Sequence, residues 1–201
     1  RISLPGEVRG TVHPLKKWNK LSITRVPMGH EVAATPIQMA MMMSAVANGG
    51  KLMRPMLVHS LCDESGRVVV KYHPEAIRQV VSLATAEKVT EALKTVVGEG
   101  GTAKRARMQY HTVAGKTGTA QKPGPGGYMP GKYYSSFVGF FPADEPALCI
   151  LVGLDEPAGD YYGGLTAAPV FKAIAERTAS YLGIKPDLVE RGTVVSSREE
   201  R

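Results

Sequence analysis

Residues Ala114-Gly115-Lys116-Thr117-Gly118-Thr119-Ala120-Gln121 gather a cation, two hydroxyls and several small side chains in one run. A ligand can approach the backbone of such a strand closely, because glycine and alanine leave it nearly bare. The ammonium and the hydroxyls are donors, so the ligand end they suit is an anion. A phosphate-cradling loop fails on spacing. It needs glycine five residues before Gly115, where Tyr110 stands, and a helix directly afterwards. Pro123-Gly124-Pro125-Gly126-Gly127 forbids that helix. From these residues alone two readings stay open: a strand and turn without function, and a ligand-holding Lys-Thr-Gly strand.

The 201 residues suffice for one domain with a real core. The net charge of +7 is scattered, without the basic stripe and interleaved aromatics of a nucleic-acid binder. It suits a protein near anionic lipid or polymer. The two cysteines, Cys62 and Cys149, sit in apolar runs and are expected as buried free thiols. No apolar run reaches the length of a membrane span and no signal peptide is visible. The chain opens on Arg1, as expected of a piece of a longer product; if that product is anchored or exported, the segment responsible is expected upstream.

Several elements must position the central run. Residues 1–34 are irregular, with turn chemistry at Leu4-Pro5-Gly6-Glu7 and Val12-His13-Pro14 and with Trp18 expected as a core anchor. Thr35-Pro36 caps a helix that Gly49 and Gly50 stop, and its apolar residues lie nearly all round, predicting full burial. Strands are predicted at 53–58 and 68–72 around the turn Asp63-Glu64-Ser65-Gly66. A second helix spans 84–98, with Val89, Leu93, Val96 and Val97 on its apolar face. The central strand occupies about 111–121, followed by a flexible loop at 123–132 and strands at 134–141 and 148–154. Their short links predict an antiparallel meander. The last helix is expected at 167–182, presenting Val170, Ile174, Thr178 and Tyr181. Residues 187–201 read as a polar tail beyond a domain of residues 1–186.

Segments in consistent order now resemble a known family. They are Leu4-Pro5-Gly6-Glu7 with Gly10; Gly29 with Ala34-Thr35-Pro36-Ile37-Gln38-Met39-Ala40; and Gly115-Lys116-Thr117-Gly118-Thr119-Ala120. Ser136-Phe137-Val138-Gly139-Phe140-Phe141-Pro142 follows, then Asp155-Glu156-Pro157 and Gly163-Gly164 to Ala168-Pro169-Val170-Phe171. Together they resemble the C-terminal half of the transpeptidase domain of class B penicillin-binding proteins, of the division and elongation type. The resemblance implies an α/β (α+β) fold of the penicillin-binding-protein and serine β-lactamase kind: an antiparallel sheet remnant with packed helices.

It also implies acyl transfer. A serine attacks the carbonyl of the penultimate D-alanine of a peptidoglycan stem peptide, and the terminal D-alanine leaves for an incoming amine. β-Lactams mimic that D-Ala-D-Ala end. On this resemblance Lys116, Thr117, Gly118 and Thr119 bind substrate. Lys116 also favours proton transfer, and the Thr119 backbone N–H is half of the oxyanion hole. No cofactor, metal or nucleic acid is implied. The implied site is the outer face of the cytoplasmic membrane. A rival reading is a non-catalytic sensor or scaffold module of the same family.

The chain also departs from the family pattern. No serine has lysine three residues on, and Asn19 and Asn48 follow Lys17 and Val46 at the position where Ser-x-Asn needs serine. The nucleophile and the middle motif are therefore expected upstream, in the other half of the domain, and the chain alone is expected to be inactive. Without that half the piece is expected to associate with it or with itself. For Tyr110, His111, Tyr133, Tyr134 and Phe137, packing is preferred over substrate contact. Asp155 and Glu156 read as structural. His13, His30, His59, His73 and His111 show no metal spacing.

Overall fold

The computed structural model describes residue 2 and residues 5–188. The strands run β1 Thr11–Val12, β2 Val32–Ala33, β3 Lys51–Met53, β4 Ser60–Cys62, β5 Val68–Lys71, β6 Ala76–Gln79, β7 Ala114–Gly124, β8 Gly127–Phe141 and β9 Leu148–Asp155. The helices are α1 Ser22–Arg25, α2 Pro36–Ala47, α3 Leu83–Thr95 and α4 Gly163–Leu182. The principal sheet is antiparallel in the order β7-β8-β9, and β1-β2, β3-β6 and β4-β5 form separate ribbons. The predicted meander is therefore present.

Side-chain alternation divides this sheet into two working faces. Phe137 and Phe141 of β8 pack with Phe171, Ala167, Ala168, Ala175 and Ala179 of α4. Val138 and Phe140, from the alternate positions, pack with Met43 of α2. The sheet is thus sandwiched between the two helices.

Local chemistry accounts for the helix ends. Thr35 and Gln38 form a reciprocal capping box, with Pro36 in the first turn of α2. Gly183 ends α4 at φ 64°. Pro169 lies inside α4 and cannot donate to the carbonyl of Leu165. The Arg105 guanidinium donates to that carbonyl instead, at 3.2 Å.

Several expectations need correction. The segment 123–132 is no loose loop: β7 and β8 pair through Pro123↔Tyr128 and Gly124↔Gly127. β9 reaches only to the position opposite Tyr134, so this hairpin projects as a two-stranded arm. Proline is tolerated there because β7 is an edge strand. Helix α4 starts at Gly163 and buries an alanine stripe. Val170, Ile174 and Tyr181 are 39, 43 and 86% exposed. Small side chains let the helix approach the sheet, which the larger ones would prevent. Helix α2 buries only Met43 and Ala45, because only one of its faces meets the sheet. Cys62 is exposed, on a two-stranded ribbon with no layer over it. β3 pairs with β6, and the predicted strand at 53–58 is confined to its first residue. Trp18 is half-buried and donates its indole N–H to the His13 carbonyl at 2.9 Å, so it braces its own loop.

Asp187 and Leu188 donate backbone N–H groups to the Tyr110 carbonyl, and the Asp187 carboxylate accepts from Thr112. The remainder of the expected tail lies outside the described residues. No helix among the described residues is long and apolar enough to cross a membrane.

Candidate substrate-binding strand

The four residues singled out in the sequence lie together on β7, the edge strand of the sheet, and alternate across its faces. Lys116 stands opposite Val138 and so shares the face covered by α2. Thr117 stands opposite Phe137 and Thr119 opposite Ser135, on the α4 face. An anion laid along the outer edge of β7 can therefore meet the ammonium from one side and the hydroxyls from the other. Lys116 and Thr119 are exposed and Thr117 and Gly118 half-buried. The Lys116 ammonium donates to the Thr117 carbonyl at 2.8 Å, curled back over the strand it serves.

Gly118 points to the α2 face, where an added Cβ would lie 2.5 Å from Ser136 Oγ. The outer edge of β7 has no partner strand among the described residues, which leaves that edge open to an extended peptide. The start of β7 is held firmly. Ala143 N–H donates to Thr112 Oγ1 at 2.8 Å, and the Thr112 N–H donates to Asp187 at 2.8 Å. His111 is buried edge-on against Phe141.

Beyond the site the β7–β8 arm is tied down by charge and stacking. Lys122 donates to Asp155 at 2.8 Å and to Glu156 at 2.9 Å, and Lys132 also pairs with Glu156. The hydrogen bonds from Lys132 and Lys122 hold the Glu156 carboxyl at about 2, below its ordinary 4.5. Glu156 sits at φ 50°, an uncommon conformation for a residue with a Cβ. Tyr133 stacks on Tyr161 with ring centroids 4.1 Å apart.

Sequence reasoning overlooked two suppliers of contacts to β7. The Gly163 N–H donates to Thr119 Oγ1 at 3.1 Å, and the Thr102 hydroxyl lies 3.0 Å from that of Thr117. The available signal was the glycines beside them, Gly100-Gly101 and Gly163-Gly164, which mark close backbone approach. Tyr110 is exposed and Phe137 wholly buried, so Phe137 belongs to the core. Among the described residues no three His, Cys, Asp or Glu side chains converge as metal ligands would.

Of the unfilled spaces beside α2, two bear on the sheet and its ribbons. One of about 510 Å³ is apolar and runs between α2 and the β3-β6 ribbon, past Ile37, Met42, Ile77 and Val81. The other, about 360 Å³, lies between the start of α2 and β8, against Tyr134 and Ser136.

This architecture recurs in solved structures. The transpeptidase domain of Burkholderia pseudomallei penicillin-binding protein 3 superposes with a TM-score of 0.82 at 30% identity, over 94% of this chain and 55% of that one. Penicillin binding protein 3 from Mycobacterium tuberculosis, complexed with aztreonam, gives a TM-score of 0.83 at 33% identity, over 93% of this chain and 44% of that one. Residues 1–176 match the family model of the penicillin binding protein transpeptidase domain. The chain therefore belongs to that family. Stage V sporulation protein D of Bacillus subtilis is 38% identical over 187 residues, covering 92% of this chain and 29% of that protein. The Mycolicibacterium smegmatis penicillin-binding protein PbpB is 36% identical, over 87% of this chain and 28% of that protein. The chain thus spans less than a third of these relatives.

Proposed function

We propose that this chain is the substrate-binding part of a serine-type peptidoglycan D,D-transpeptidase, the class of enzyme that cross-links stem peptides in the cell wall and that β-lactams acylate. The observation that carries the reading is the open edge of β7, with Lys116 on one face and Thr117 and Thr119 on the other. The stem peptide lies antiparallel along that edge, with Gly118 leaving room above it. Its terminal D-alanine carboxylate is held by Lys116, Thr117 and Thr119 through charge-assisted hydrogen bonds. The Thr119 backbone N–H donates to the developing oxyanion; one such donor typically lowers the barrier by about 2.7–4 kcal/mol. A serine from the other half of the domain attacks the penultimate D-alanine carbonyl. The terminal D-alanine leaves with the serine's proton, and the amine of a neighbouring stem then attacks the acyl ester, forming the cross-linking amide and returning a proton to the serine oxygen. The aztreonam complex of a structural relative supports the β-lactam part of this reading.

The same reading assigns the two spaces beside α2 to the other half of the domain, which brings the nucleophile. The chain by itself is then inactive. The intact protein acts at the outer face of the cytoplasmic membrane, held by an anchor upstream. The test is penicillin labelling of the intact protein. Lys116→Ala should reduce labelling to background while leaving the melting temperature within a degree or two. Labelling at the wild-type rate would refute the assignment of the strand.

A further inference from the structure

We infer that Thr102, in the turn between α3 and β7, is a positioning residue that sets the direction of the Thr117 hydroxyl. The inference rests on the reading of β7 as the strand that holds a ligand carboxylate. Thr102 Oγ1 and Thr117 Oγ1 are 3.0 Å apart. A hydroxyl has one proton and two lone pairs. When Thr102 donates to Thr117, the Thr117 proton is left to point outward, into the space along the strand edge. Thr119 is treated the same way, since the Gly163 N–H donates to its Oγ1 and frees its proton too. With Thr102 as the donor, both hydroxyls of the strand receive a hydrogen bond from a neighbouring segment and each keeps its own proton for an anion.

The turn that carries Thr102 is built to hold it still. Gly101 N–H donates to the Gly98 carbonyl at 3.0 Å, and Ala103 N–H to the Val96 carbonyl at 2.9 Å. Ala103 and Ala106 are wholly buried. A Cβ on Gly101 would lie 2.0 Å from the Val96 carbonyl oxygen, so the turn closes only over glycine. On the far side α4 presses its own glycine against the turn: a Cβ on Gly164 would lie 1.8 Å from the Thr102 carbonyl oxygen and 3.5 Å from Thr117 Cγ2. Thr102 is wedged between α3, α4 and β7, yet its side chain stays exposed toward the strand edge. A hydroxyl in such a place acts on the direction of its neighbour rather than on the core.

The experiment compares Thr102→Val and Thr102→Ser in the intact protein, using acylation by a penicillin and by the same penicillin with its carboxylate esterified. Valine keeps the shape and removes the donor. The expected result is a loss of about three- to tenfold in apparent affinity for the free acid, the fold-change of one neutral hydrogen bond. The maximal acylation rate should be retained, serine should restore affinity, and the loss should vanish for the ester. Wild-type affinity in Thr102→Val would overturn the inference. So would an equal loss toward acid and ester, which is the signature of a merely structural role. Lys116→Ala run alongside separates the two levels. If it abolishes labelling while Thr102→Val is silent, only the positioning role fails. If Lys116→Ala labels normally, the strand assignment itself fails.

Discussion

The two helices that sandwich the sheet are both apolar, yet they differ in what they bury. Helix α4 presses Phe171 and an alanine stripe onto Phe137 and Phe141, all fully buried, with the Phe137 and Phe171 rings edge to face at 4.8 Å. Helix α2 carries the longer side chains but buries only Met43 and Ala45, while Met42 is 52% exposed beside an apolar space of about 510 Å³. Composition alone would rank α2 as the more buried of the two. The difference teaches that burial is decided by the number of faces that meet a partner. α4 has one apolar face and one layer to meet it. α2 has apolar residues all round, and the sheet, β3 and α3 together leave one side of it uncovered.

The largest effect expected from this contrast is on the closed side. Phe171→Ala should cost about 3–5 kcal/mol by loss of transfer energy and creation of a cavity. Chemical denaturation should show the midpoint falling with little change in slope. A cost below 1 kcal/mol would mean the α4 face is less tightly packed than described.

A sharper comparison lies within α2, between adjacent methionines. Met43→Ala should cost about 2–3 kcal/mol, because Met43 is 3% exposed between Val138 and Phe140. Met42→Ala should cost under about 1 kcal/mol, because its side chain faces the open groove. Equal costs would mean that the groove is filled in solution, and the Met42→Ala cost should rise toward that of Met43→Ala when the proposed other half of the domain is present.

The smallest effect concerns the arm. The pairs Lys132–Glu156 and Lys122–Glu156 are near the surface, so their contribution to stability is modest. Its sign is nevertheless defined. The folded carboxyl titrates at about 2 against an ordinary 4.5, so the contribution is fully present above pH 4.5 and is lost as pH falls through about 2. Glu156→Gln should flatten the acid leg of the stability curve over that window and leave the alkaline leg unchanged. An unaltered acid leg would show that these pairs form equally in the unfolded chain.

Much of the architecture was legible because its signals are local. Thr35, Pro36 and Gln38 announce the start of α2 through their own hydrogen bonds. Asp63-Glu64-Ser65-Gly66 announces a turn, where the Ser65 and Arg67 amides donate to the Asp63 carboxylate at 2.9 and 3.0 Å. The run Lys116 to Thr119 was legible as a strand, while its residue types and spacing left its use open until the other segments were set beside it. The arm at 123–132 was misread because Pro123, Gly124, Gly126, Gly127 and Gly131 are turn formers that suggest a loop. The sheet overrides them by pairing Tyr128 with Pro123. The face of α4 was misread because hydropathy favours Val170 and Ile174 over alanine, whereas close packing on a sheet favours alanine.

The sequence by itself determined the family, the position of the strand that carries Lys116 to Thr119, the antiparallel order β7-β8-β9 and the lack of a Ser-x-x-Lys motif within the chain. These follow from short-range patterns that survive any packing. Only the tertiary structure decided that Thr102 and Gly163 reach the hydroxyls of β7 and that α2 is left half-uncovered. The contacts to β7 join segments 15 and 44 residues apart in the chain, and the exposure of α2 depends on which surfaces pack against it. Local patterns carry no information on that, because close backbone approach is set by the whole set of packed surfaces at once.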